Sequence, residues 1–87
     1  MFKQQMYVIA KKDFRNKENF DFVSFFQTQR CDYPEKVGYQ CLKKAYHFYD
    51  KEKAIELLEK QPKWIIDSHI VIPFIKTLLS ENLIEEN

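Results

Sequence analysis

Asp32-Tyr-Pro-Glu-Lys-Val-Gly-Tyr-Gln-Cys-Leu-Lys-Lys-Ala-Tyr-His-Phe-Tyr49 is the stretch whose reading decides the fold. Asp32 followed by Glu35 has the pattern of a helix capping box, and Pro34 falls in the first turn, where a missing N–H costs nothing. Val37, Cys41, Leu42, Ala45, Tyr46 and Tyr49 then recur at helical spacing, with Lys43 and Lys44 on the opposite side. A half-buried strand would alternate, and Leu42-Lys43-Lys44-Ala45 does not. Gly38 inside the segment costs about 1 kcal/mol relative to Ala, which a buried face can offset. The spacing predicts a helix from Asp32 to Tyr49.

Outward from that helix, Asp50 is placed to cap a second one, Lys51 to Lys60, with Ala54, Ile55, Leu57 and Leu58 facing inward and Pro62 closing it. Phe74 to Ile84 predicts a further helix with Ile75, Leu78, Leu79 and Leu83 on one stripe. Asn19 can cap a helix through Gln29, although Phe20, Phe22, Ser24 and Phe26 alternate and permit a strand. Met6–Lys11 and Trp64–Ile72, rich in β-branched and aromatic residues, read either as two pairing strands or as helix. The expected fold is mainly α, a small helical domain of αα-hairpins spanning residues 1–87 as a single domain. The alternative is an α+β domain with a short sheet from residues 4–11 and 64–72.

Composition agrees with one compact core. The 87 residues are 45% hydrophobic and 16% aromatic, with one Gly and three Pro, which excludes disorder. Two cysteines are too few for a disulfide scaffold. The longest apolar run, Ile70 to Ile75, is broken by Pro73 and falls far short of the roughly 18 residues of a membrane span. The start, Met-Phe-Lys-Gln-Gln, lacks the apolar stretch of an export signal, so a cytoplasmic location with reduced Cys31 and Cys41 is expected. Net charge is +1, but residues 1–44 carry nine cations against five anions, and residues 45–87 five against eight.

Offset by 32 residues, the chain overlays Ile9-Ala10-Lys11-Lys12 on Cys41-Leu42-Lys43-Lys44 and Phe22-Val23 on Ala54-Ile55, as repeated helical hairpins would. Tyr39, Leu42 and Tyr46, followed by Ala54 and Leu58, resemble the packing positions of a tetratricopeptide-type repeat over residues 39–62. Tyr46 to Ala54 is one residue short for that family, no Gly follows Leu42, and Pro62 comes early. The resemblance implies a scaffold that binds proteins or peptides. In size and Lys-rich, Arg-poor composition the chain also resembles small phage or mobile-element accessory proteins, such as anti-CRISPR and other anti-defence inhibitors, which implies occlusion of a host enzyme.

Reactive groups do not cluster. Cys31, Cys41, His47 and His69 lack the close pairs from which zinc sites are built. Asp67-Ser68-His69 contains triad residue types, but consecutive side chains diverge. One glycine cannot make a phosphate loop. No enzyme activity, cofactor, metal, small-molecule substrate or membrane partner is expected. The expected function is a non-catalytic protein-binding domain, acting on another protein or on a second copy as a dimer, with Phe20, Phe25, Tyr33, Tyr39, Tyr49 and Trp64 as surface anchors. The alternative is nucleic-acid binding by a basic patch of Lys11, Lys12, Arg15, Lys17, Lys43 and Lys44, with cations holding phosphates while a neighbouring ring stacks on a base.

Overall fold

The computed structural model describes residues 3–27 and 36–84. Of these, 45% are strand and 24% helical, so the protein is mainly β and not a domain of helical hairpins. Five antiparallel strands, β1 (Lys3–Lys11), β2 (Phe22–Gln27), β3 (Lys36–Gln40), β4 (His69–Thr77) and β5 (Glu81–Leu83), form one curled sheet in the order β3-β2-β1-β4-β5. Helices α1 (Lys51–Glu59) and α2 (Lys63–Ser68) lie between β3 and β4 in sequence.

The central strand β1 explains the core. Met6, Val8 and Ala10 join Phe22, Leu42, Ala45 and Phe74 on one face. Ile9 lies on the other with Val23, Ala54, Leu58 and Ile65, and Tyr7, Phe26 and Phe48 pack against this second cluster. Successive residues of a strand point to opposite faces, so a strand covered on both sides reads as an unbroken apolar run, here Met6-Tyr7-Val8-Ile9-Ala10. Such a run has no period of two and resembles a buried helix. Residues 4–11 do pair with the segment after Trp64, but Trp64 itself belongs to α2, and the strand runs on to Thr77.

The region from Asp32 to Tyr49 departs furthest from expectation. Asp32–Glu35 lie outside the described residues. Lys36–Gln40 is strand β3, Leu42–Lys44 is a single 3-10 turn, and Phe48 makes an isolated bridge to Tyr7. Val37 and Tyr39 face the helix-side core, whereas Leu42 and Ala45 face the opposite one. The apparent helical spacing is therefore two short extended pieces joined by one turn. Tyr39 and Leu42, expected on one helix in the tetratricopeptide resemblance, are a strand residue and a 3-10 residue. The helix expected over Asn19–Gln29 is likewise replaced: Phe22–Gln27 forms β2, with an irregularity between Val23 and Phe25 that shifts its register on β3, and Thr28 and Gln29 lie outside the described residues. Phe74–Ile84 forms the end of β4, a turn, and β5. Leu78 and Leu79, expected on a buried stripe, are 84% and 91% exposed.

Helix α1 forms where its caps predict. The Asp50 carboxylate accepts the Glu52 N–H at 2.9 Å, and Ala54 and Leu58 are buried. Gln61-Pro62 ends the segment and Pro62 caps α2, which buries Ile65. No helix of the described residues is long and apolar enough to cross a membrane.

β1 and β2 pair only at Ala10↔Phe22 before they separate. The chain after the 3-10 turn fills the gap: the Tyr46 N–H donates to the Val23 carbonyl at 3.1 Å, and Tyr7 and Phe48 exchange two hydrogen bonds of 2.8 Å. Tyr7 thus turns its polar groups away from β4, which makes Tyr7↔Pro73 a non-hydrogen-bonded pair of the β1–β4 ladder. Pro73, with no N–H, is tolerated because β1 asks nothing of it. On the outer side of β4 the ladder to β5 ends at Leu83, one step before the position opposite Pro73.

Gly38 lies across from Phe25, and a Cβ at residue 38 would collide with that ring. Gly38→Ala is expected to destabilise the fold by about 1–3 kcal/mol through displacement of the ring. In a Phe25→Ala background the same change is expected to be nearly neutral, a coupling that a double-mutant cycle by urea denaturation would measure.

Candidate functional site

The separation of β1 from β2 leaves an apolar recess on the surface. Phe25 and Phe26 from β2, Tyr46 and Phe48 from the segment between the strands, and Leu57 from α1 line a cleft of about 250 Å³ over Ile9 and Val23. Tyr46 and Phe48 meet edge to face with ring centroids 4.8 Å apart. Phe25 packs over Gly38 yet remains 54% exposed. These rings are held by neighbours before any partner arrives, so little side-chain freedom remains to be lost on binding.

The expected anchors do not share one environment. Phe20, Phe25, Tyr49 and Trp64 are all more than half exposed. Of these, Phe25 lines the aromatic cleft, while Phe20 borders a different recess of about 340 Å³ with Lys17, Lys43 and Leu79. Tyr33 lies outside the described residues. Tyr39 is turned inward to His69, as described below. Tyr46 and Leu57 complete the cleft and were not among the expected anchors. A Tyr of the supposed first helix and a Leu expected to face inward gave no sequence signal for a shared surface.

The basic residues are dispersed. The Lys11 ammonium sits 4.4 Å from the centre of the Tyr39 ring and 3.9 Å from Asp21. Lys17 donates to the Glu81 carbonyl at 3.0 Å. Arg15 and Lys17 border an open groove of about 750 Å³ beside Ile70, Ile72 and Leu83, and Lys17 and Lys43 share the smaller recess with Phe20. Lys12 and Lys44 are exposed. Glu18 borders both openings, so neither is purely cationic.

A polar chain lies inside the helix-side core, where the sequence shows only a histidine before an apolar run. His69 is 3% exposed. Its Nδ1 is 2.8 Å from the Ile65 carbonyl, which can only accept, so Nδ1 carries the hydrogen. Nε2 then accepts from the Tyr39 hydroxyl at 2.7 Å, and the two rings stack within 5° of parallel. The Ser68 hydroxyl donates to the Trp64 carbonyl at 2.7 Å and lies 2.9 Å from His69 Nδ1. Every polar atom of the imidazole is thus engaged with the fold. Burial lowers the His69 pKa, the Ile65 carbonyl works the other way, and the Lys11 charge adds to the lowering. Burial raises the Tyr39 pKa, with Asp13 and Asp21 adding to it.

Among the described residues no three His, Cys, Asp or Glu side chains converge as a metal site. Cys41 is a free, half-buried thiol, and His47 donates from Nε2 to the Leu42 carbonyl at 2.7 Å.

Because His69 is held neutral in the fold, the unfolded chain binds its proton first as pH falls. Its contribution to stability is complete above about 6.5, the ordinary imidazole value, and declines below it towards the lower folded pKa. Urea unfolding at neutral and mildly acid pH is expected to show this loss, and His69→Gln to flatten it. Comparison with known proteins finds no matching family model, no matching curated protein and no matching solved structure.

Proposed function

We propose that the protein is a non-catalytic interaction domain that binds another protein, or a second copy of itself, through the cleft formed by Phe25, Phe26, Tyr46, Phe48 and Leu57. The observation that carries this reading is the half-exposed state of Phe25 and Tyr46 around an apolar recess that the chain itself leaves open. Aromatic side chains at the centre of an interface supply most of its binding energy when they fill or form a desolvated pocket. An apolar anchor from a partner would complete the gap between β1 and β2 that the Tyr46–Phe48 segment only partly fills. Occlusion of a host enzyme, implied by the chain's size and composition, would act through the same surface.

Nucleic-acid binding by the basic N-terminal half is the second reading, supported by the exposed Phe20 ring beside Lys17 and Lys43.

Phe25→Ser and Tyr46→Ser are each expected to weaken the partner complex or homodimer by about tenfold or more, read by pull-down and light scattering. A strictly monomeric chain that captures no protein would overturn the proposal. The second reading expects a gel shift with RNA or DNA at about 50 mM salt that weakens steeply as salt rises and on Lys43→Glu. No shift at all removes it.

A further inference from the structure

We propose that the Leu78-Leu79 turn, together with Phe20 and the lysines behind it, is a docking tip for the surface of an anionic lipid bilayer. The turn joins β4 to β5, and its two central residues are the most exposed large hydrophobic side chains described, at 84% and 91%. A two-residue hairpin connection ordinarily uses Gly, Asn or Asp, which tolerate the backbone of a tight turn and solvate well. Here closure is made by the flanking residues, backbone and side chain together. Thr77 N–H donates to the Ser80 carbonyl at 2.8 Å, the Ser80 N–H donates to the Thr77 hydroxyl at 3.1 Å, and the Asn82 amide donates to the Ser80 hydroxyl at 3.0 Å. The hairpin therefore closes without help from Leu78 or Leu79, and both project into solvent with little packing to justify them.

The surroundings identify the occupant. Lys3 is the register partner of Thr77, and Lys76 directly precedes it in β4. Lys17 and Lys43 border the recess that Leu79 shares with Phe20. Glu18 and Glu81 balance Lys17 and Lys43 at that recess, so the cation excess at the tip comes from Lys3 and Lys76 beside the turn. Apolar residues at the point of a protrusion with cations set back from it match the layering of a membrane surface. The leucines would reach the acyl boundary while the ammonium groups stay at the level of the phosphates. A fluid bilayer needs no preformed pocket to receive a convex tip. Attachment of this kind is distinct from crossing and needs no apolar span. The tip shares no residue with the aromatic cleft, so it stands or falls independently of the protein-binding reading.

The test is sedimentation of the full chain with phosphatidylcholine vesicles and with the same vesicles containing phosphatidylserine. The chain is expected to sediment with the anionic vesicles and to be released by salt. Leu78→Ser and Leu79→Ser are each expected to weaken binding about tenfold with unchanged thermal unfolding, and Lys43→Glu to weaken it on anionic vesicles alone. Failure to sediment with either vesicle, or leucine variants that bind as the wild type does, would overturn the proposal. A dimer that both leucine variants convert to monomer would overturn it as well, by assigning the tip to a second copy. So would a nucleic-acid shift abolished by the same variants.

Discussion

Tyr7 gives both its N–H and its C=O to Phe48, and the orientation of that one peptide pair sets the rest of the sheet. In an antiparallel ladder a residue bonds to one neighbour or the other, so the choice at Tyr7 propagates along β1 in steps of two. The Lys11 N–H consequently reaches Asp21 on the β2 side, and the even-numbered residues face β4. β2, displaced by the inserted segment, touches β1 at one register pair only. The insertion carries Tyr46 and Phe48 to the margin of the helix-side core, where they border the aromatic cleft. Core, register and cleft thus follow from one local exchange of partners.

What the sequence made legible is what short-range chemistry decides. Helix α1 is readable because Asp50, Ala54, Leu58 and Pro62 lie within one another's reach, and a cap and a stop need no distant partner. The sheet is not local. β1 loses the alternation that would identify it because both its faces are covered. β3 and the 3-10 turn imitate a helix because Val37 and Leu42 are buried on opposite sides of the sheet and not along one stripe. Residues 74–84 imitate one because Leu78 and Leu79 complete an apolar period without being buried at all. The surplus of exposed aromatic residues follows from composition, but which of them meet depends on Tyr46 entering between two strands, an event no spacing announces.

The candidate sites show the same division. Tyr39 and His69 are thirty residues apart in sequence, and their contact depends on β3 reaching the first residue of β4. The composition favoured Tyr39 as a surface anchor because the aromatic content exceeds what an interior of this size readily hides. Its hydroxyl instead satisfies an imidazole that burial would otherwise leave wanting a partner. The basic residues, contiguous as a list, are separated by geometry: Lys11 answers Asp21 and the Tyr39 ring, and Lys17 answers the Glu81 carbonyl. Charge counted along a chain overstates a patch when cations such as these two lie in different places with acceptors of their own.

Pro73 has a consequence for self-templated growth. Ile70 to Ile75 is short, uncharged and rich in β-branched residues, the composition of segments that stack into cross-β fibres, and its first four residues, Ile70 to Pro73, lie beyond the end of β5 on the outer side of β4. Proline in its middle denies any incoming strand a donor at that step, while its own ladder to β1 loses nothing. The chain can therefore keep a greasy hexapeptide near its rim, stiff enough to hold the sheet, without offering a complete template for fibril elongation.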